Sequence, residues 1–173
     1  SFDGKSDPII KNKYQQVFSP QTAYQITSML KGVVERGTGK GLKELKLELA
    51  GKTGTTNNNT DTWFIGFTSN LVVGVYIGYD NPKSLGKFET GSKTAMPVFK
   101  EFMKKTANSN NARPFKVPDN IRMMVVDSVT GEKANSKTKL PIIESFKLTS
   151  NNPNILSTNI DSRSNSTNIL KFY

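Results

Sequence analysis

The stretch that decides the fold reads Ala50-Gly-Lys-Thr-Gly-Thr-Thr-Asn-Asn-Asn59, then Asp61-Thr-Trp-Phe-Ile-Gly-Phe-Thr68, then Leu71-Val-Val-Gly-Val-Tyr-Ile-Gly-Tyr79. Just upstream, Leu45, Leu47 and Leu49 alternate with Lys46 and Glu48. That period of two predicts a strand entering Gly51–Thr56. The Asn57–Asn59 run is a turn, Trp63–Thr68 reads as a second strand, and Ser69-Asn70 is a tight connection. Leu71–Tyr79 carries apolar residues without alternation and reads as a strand buried on both faces. Connections this short join antiparallel neighbours, so the three segments predict a meander.

Helices flank the meander. Ser19-Pro20 is a helix start, with a side-chain oxygen at the N-cap and Pro at the first helical position. Ala23, Ile26, Leu30 and Val33, widened by Met29 and Val34, give an apolar stripe at helical spacing that ends at Gly37. Ala95, Val98, Phe99, Phe102 and Met103 predict a second amphipathic helix, with Pro97 in its first turn; Phe99, Phe102 and Met103 read as core. Trp63, Phe64 and Phe67 read as sheet core rather than as platforms for a sugar. Residues 107–118 read as a linker, Ile121–Asp127 as a strand and Asp127–Gly131 as a hairpin turn. The Ser-, Asn- and Thr-rich stretch from 149 reads as disordered.

Composition narrows the chemistry. The chain has 173 residues, no Cys and no His. Disulfides, thiolate or imidazole metal ligands, a cysteine nucleophile and a Ser-His-Asp triad are therefore excluded, and neither a metal nor a cofactor is expected. A serine acyl-transfer enzyme built on this chain would move protons through Lys, a carboxylate or Tyr. The net charge of +10, from 24 Lys and Arg against 14 Asp and Glu, is spread along the chain, and Lys outnumbers Arg 20 to 4. Nucleic-acid readout favours Arg, so the charge reads as a solvated basic surface with no nucleic-acid partner. No run reaches the roughly 18 apolar residues of a membrane span. The chain opens on Ser1 and reads as a piece of something longer.

Gly51-Lys52-Thr53 first suggests a phosphate-binding loop. That motif requires Gly where Lys46 stands, and a helix after the Lys-Thr pair, whereas Gly54-Thr55-Thr56-Asn57 follows. Read as a strand, the segment puts Lys52 and Gly54 on one face and Thr53 and Thr55 on the other. It then offers an ammonium, two hydroxyls and backbone N–H groups, and Gly54 lets a ligand approach the backbone. Such a set binds a carboxylate and stabilises an oxyanion, although a bare Lys-Thr-Gly triplet is also an ordinary strand end. Asp61 either caps the turn after the Asn run or orients the Lys-Thr-Gly segment.

Ala50–Asn57, Asp61–Gly66 and Gly74–Asp80 together resemble the penicillin-binding proteins, and in particular the C-terminal part of a class A (bifunctional) transpeptidase domain. Val33-Val-Glu-Arg-Gly-Thr-Gly39, Glu89-Thr-Gly91 with Ala95-Met-Pro97, Pro114–Pro118 and Asp127–Gly131 continue the similarity in order, over about residues 15–150. The resemblance implies an α+β fold, an antiparallel sheet with packed helices, incomplete at its N-terminal side. Residues 1–106 would belong to the transpeptidase domain, 107–148 to a linker and small hairpin appendage, and 149–173 to a polar tail. It also implies a serine D,D-transpeptidase that cross-links peptidoglycan stem peptides through an acyl-serine and binds β-lactams.

By that similarity Lys52 polarises the site and supports proton transfer, and the Thr53 and Thr55 hydroxyls hold a carboxylate. Gly54 permits close approach, the Thr55 N–H is one oxyanion donor, and Thr56 is a weaker neighbouring candidate. The family's nucleophile motif, Ser-x-x-Lys, lies far upstream of Lys-Thr-Gly. Ser28–Lys31 and Ser84–Lys87 spell it, and Ser150–Asn152 spells Ser-x-Asn, but none stands in the right order and context. The chain is therefore expected to be inactive alone, marginally stable, and completed by an N-terminal part of the same protein that carries any membrane anchor. The implied location is the periplasmic side of a bacterial inner membrane. Two other readings remain: a non-catalytic module for anionic wall polymer, and a β-lactamase or D,D-carboxypeptidase relative.

Overall fold

A computed structural model describes residues 15–106 and 113–148. Helix α1 spans Pro20–Glu35. The Ser19 hydroxyl accepts the Thr22 N–H at 3.2 Å, which satisfies one of the free amides of the first turn. Gly37 follows the C-cap Arg36, and its N–H bonds back to Gly32 and Val33.

The meander is present as a three-stranded antiparallel sheet of β1 (Ala50–Thr55), β2 (Asp61–Phe67) and β3 (Val72–Gly78), in that order. Helix α2 (Ala95–Thr106) packs on β2 and β3, while α1 packs on β1. The core joins Val34, Leu42, Leu49, Phe64, Ala95, Met96, Phe99 and Met103. Phe64 and Phe99 meet at 4.8 Å between ring centroids, in a tilted arrangement. Gly66 makes room for that contact, since a Cβ there would lie 2.6 Å from Phe99 Cζ.

Five sequence expectations need correction. Leu45–Leu49 is not a strand: Lys40–Leu45 is a 3₁₀ helix closed by Lys46 at φ 53°, and β1 begins only at Ala50. Leu42 and Leu45 stand three apart, the repeat of a 3₁₀ turn, and Leu42 is buried while Leu45 packs against the core. Strand β3 is half-buried, and on one face only. Val73, Val75 and Ile77 pack on the core, whereas Val72 is 71 % exposed and Tyr76 lies outward. Trp63 shares that outer face at 42 % exposure and touches Tyr76 at 4.7 Å, so of the three aromatics only Phe64 is fully buried. Phe102 is exposed, while Phe99 and Met103 are core.

The fifth correction concerns α1, which turns Tyr24, Gly32 and Val34 inward and leaves Ile26 and Met29 exposed. Polar links accompany that rotation: Gln25 Nε2 donates to Ser145 O at 3.2 Å, Lys31 pairs with Glu48, and Arg36 pairs with Glu144.

Past residue 113, β4 (Ile121–Asp127) pairs antiparallel with β5 (Pro141–Lys147), a strand the sequence reading did not find. The expected turn at Asp127–Gly131 exists. The Asp127 carboxylate accepts the Val129 and Thr130 N–H groups, and Gly131 supplies φ 73°. Strand β5 lies against α1, and the segment before β4 is held where Glu48 accepts the Phe115 N–H at 3.1 Å. The expected disordered tail from 149 lies outside the described residues.

Candidate active site

Strand β1 carries Lys52, Thr53, Gly54 and Thr55, and β2 is its only sheet partner among the described residues. The phase of its hydrogen bonding follows from one contact: the Thr56 N–H donates to Asp61 O at 3.0 Å. Pairs alternate along an antiparallel ladder, so Gly54 with Trp63 and Lys52 with Ile65 exchange hydrogen bonds. The N–H and C=O groups of Thr53 and Thr55 then point away from β2, toward the open edge. Consistent with this, Lys52 Nζ donates to Thr53 O at 2.8 Å.

The side chains divide as the sequence predicts. Register places Lys52 and Gly54 with the outward residues Ile65 and Trp63, and Thr53 and Thr55 with Phe64 and Thr62 on the α2 side. The Thr53 hydroxyl lies 3.1 Å from that of Thr38, in the loop after α1. The Thr55 hydroxyl accepts the Gly91 N–H at 3.1 Å. Gly91 lies against the strand backbone itself, since a Cβ there would sit 2.4 Å from Trp63 O and 2.6 Å from Gly54 O. Nearby, Thr94 donates to Thr90 O at 3.0 Å, and its hydroxyl meets that of the buried Thr62 at 2.6 Å, which pins the 90–94 segment to β2.

Thr56 is placed differently. Its hydroxyl accepts the Asp61 N–H at 2.8 Å and lies 2.8 Å from the Thr60 hydroxyl, so it closes the turn after β1. The same turn is gathered on the Asp61 carboxylate, which accepts from Tyr76 at 2.7 Å, Thr60 at 3.0 Å and Thr56 at 3.2 Å. Asp61 thus serves the turn, one of its two sequence readings. The Tyr76 bond is the main reason its carboxyl titrates below the usual carboxylate range; burial opposes this, and the two Thr bonds add to it. The Tyr76 phenol is pushed up, first by the same bond, then by burial and by the charges of Asp61 and Asp80.

Ser28–Lys31 and Ser84–Lys87 take no part in this cluster. Lys31 is committed to Glu48, and the Ser84 hydroxyl accepts the Gly86 N–H. Thr38, Gly91 and Tyr76 are the residues at the site that motif spelling did not single out. All three stand inside the segments that carry the family resemblance, Val33–Gly39, Glu89–Gly91 and Gly74–Asp80. An open groove lies apart from these residues, between the start of α1 and residues 115–119.

The family model for the penicillin-binding protein transpeptidase domain matches residues 8–104. The chain belongs to that family. Over 140 residues it is 46 % identical to penicillin-binding protein 1A of Rickettsia conorii, covering 81 % of this chain and 17 % of that protein. Against penicillin-binding protein 1A of Pseudomonas aeruginosa the identity is 38 % over 134 residues, 77 % of this chain and 16 % of that one. The crystal structure of penicillin-binding protein 1A from Haemophilus influenzae superposes with a TM-score of 0.67 at 31 % identity, over 76 % of this chain and 21 % of that chain. These relatives place the chain with the class A penicillin-binding proteins and support the partial transpeptidase fold. The chain spans about a fifth of their length or less.

Proposed function

We propose that this chain supplies the Lys-Thr-Gly wall of a serine D,D-transpeptidase site. The enzyme would cross-link peptidoglycan stem peptides in the bacterial cell envelope, on the periplasmic side, and would be acylated by β-lactams. The observation that carries the reading is the edge position of β1. Its Thr53 and Thr55 backbone groups face outward, two hydroxyls stand on one side of the strand, and an ammonium stands beside them. An acyl substrate laid along that edge meets an N–H donor at Thr55 for its oxyanion and hydroxyl donors for its carboxylate. Lys52 contributes positive charge and supports proton transfer, and Gly54 leaves the backbone approachable. Thr56 contributes by holding the turn that ends the strand. The acyl-forming serine comes, on this reading, from an upstream part of the same protein, and residues 107–148 form an appendage to the transpeptidase domain.

The test is incubation with a fluorescent penicillin followed by intact-mass measurement. The chain alone is expected to form no adduct. Joined to the upstream region of its own gene it is expected to form one, and Lys52→Ala is expected to abolish it. A stoichiometric adduct on the isolated chain would overturn the division of the site.

A second reading is a non-catalytic contact with anionic wall polymer. It has one observation behind it: Lys83 lies over Tyr79 at 4.1 Å, and Lys87 and Lys93 lie over the exposed Phe88 at 5.2 and 5.8 Å. Sedimentation with purified sacculi tests it. Salt-sensitive binding that survives Lys52→Ala but is lost in a Lys83, Lys87 and Lys93 triple alanine variant favours this reading; binding unchanged in that variant refutes it.

A further inference from the structure

Thr38 belongs to neither the Lys-Thr-Gly strand nor the turn that ends it, yet its hydroxyl lies 3.1 Å from that of Thr53. Each of the two strand hydroxyls has one hydrogen-bonding neighbour from outside the strand. Thr55 Oγ1 has one lone pair filled by the Gly91 N–H, which leaves its own hydrogen to point elsewhere. Thr53 Oγ1 has Thr38 as its neighbour, and either hydroxyl of that pair is able to donate. A carboxylate only accepts. When one approaches Thr53, the Thr53 hydrogen must turn to it, and the bond between the threonines then has a single favourable direction, from Thr38 to Thr53. A hydroxyl that accepts while it donates is polarised, so its outgoing bond is strengthened. Thr38 reaches this position because Gly37 and Gly39 fold the loop tightly onto the end of α1, where a Cβ at either glycine would come within about 3 Å of Val33.

We propose that Thr38 is a positioning residue that sets Thr53 as a hydrogen-bond donor, so that Thr38, Thr53 and Thr55 together select a free carboxylate over a neutral end group. This rests on the reading of β1 as the carboxylate-binding wall. Thr38 does not touch the ligand; it acts through Thr53, as the Gly91 amide acts through Thr55.

The test uses the full 173-residue chain, isotope-labelled, with acetyl-D-alanyl-D-alanine and its C-terminal carboxamide as probes. Amide shifts of Thr53 and Thr55 are followed during titration. The parent chain is expected to bind the acid more tightly than the carboxamide. Thr38→Val is expected to reduce that preference by about three- to tenfold, the worth of one hydrogen bond, while carboxamide binding stays as it was. Thr38→Ser restores the hydroxyl and is expected to restore the preference, and Thr38→Ala repeats the loss without the branched side chain. An undiminished preference in both Thr38→Val and Thr38→Ala overturns the role of Thr38 and leaves the reading of β1 standing. Equal weakening of both probes overturns it too, because it marks a distorted loop. A parent chain that does not distinguish acid from carboxamide overturns the reading of β1, and the role of Thr38 falls with it.

Discussion

Gly91→Ala is expected to be among the most damaging single-methyl additions in this chain. The new Cβ would lie 2.4 Å from Trp63 O, 2.6 Å from Gly54 O and 3.2 Å from Gly54 N. A carbon and a carbonyl oxygen touch at about 3.3 Å, so the overlap approaches an ångström at Trp63 O. Neither oxygen is free to retreat, because Gly54 and Trp63 are paired in register across β1 and β2. The 90–94 segment must lift instead. It then loses the bond from Gly91 N to Thr55 Oγ1 and loosens the bond from Met96 N to Gly91 O, which starts α2. Overpacking of this kind costs about 1–3 kcal/mol, and a lost hydrogen bond about 0.5–1.5, so the sum is about 1.5–4.5 kcal/mol. With a urea m-value of about 2 kcal/mol/M, the unfolding midpoint drops by about 1–2 M. Trp63 is the single tryptophan, and its backbone carries one of the two oxygens, so its fluorescence follows the transition without a label. A midpoint within about 0.3 M of the parent's would refute the claim that Gly91 is held by backbone contact.

Gly74→Ala is the opposite case: its Cβ would meet only Ile65 Cγ1 at 3.8 Å, so the variant is expected to unfold at the same urea concentration or slightly higher. Phe99→Ala removes the ring that closes the core on Phe64 and is expected to cost about 3–5 kcal/mol in the same assay; a loss under about 1 would contradict the packing described. Tyr76→Phe deletes the main cause of the low Asp61 pKa, so the Asp61 carboxyl is expected to titrate closer to the ordinary range, as read by carboxyl-carbon NMR. A carboxyl with a depressed native pKa lends stability that is full above its unfolded pKa and is lost as pH falls through the native value. Asp61→Asn is therefore expected to soften the fall in melting temperature on acidification below about pH 4, and an identical acid profile would argue against the turn network.

Sequence legibility was uneven, for identifiable reasons. The meander could be read because its turns are short and chemically marked: Asn57–Asn59 and Ser69-Asn70 leave the chain little choice but to reverse. The start of α1 could be read because Ser19 and Pro20 act within one turn. The Leu45–Leu49 alternation misled because Leu42 and Leu45 fit a 3₁₀ repeat equally well, and burial of Leu42 decided between them. Strand β5 was missed because its Pro-Ile-Ile-Glu-Ser-Phe-Lys run does not alternate; β4 and α1 define it. At the candidate site the spelling Lys-Thr-Gly located the strand, while the pairing of Thr53 with Thr38 and of Thr55 with Gly91 joins residues 15 and 36 positions apart, which no local pattern records.

By itself, then, the sequence determined the antiparallel meander, the two helices, a chemistry without Cys or His, and the opposition of Lys52 to Thr53 and Thr55 across a strand. Each follows from short-range periodicity or from composition. Tertiary structure decided which faces are covered. It put Trp63 and Tyr76 outward, rotated α1 so that Ile26 and Met29 face solvent, and committed Thr56 and Asp61 to a turn. A strand or helix defines its own faces, but only the elements packed against it settle which face is dry, and only distant hydroxyls and amides settle which way a threonine's hydrogen points.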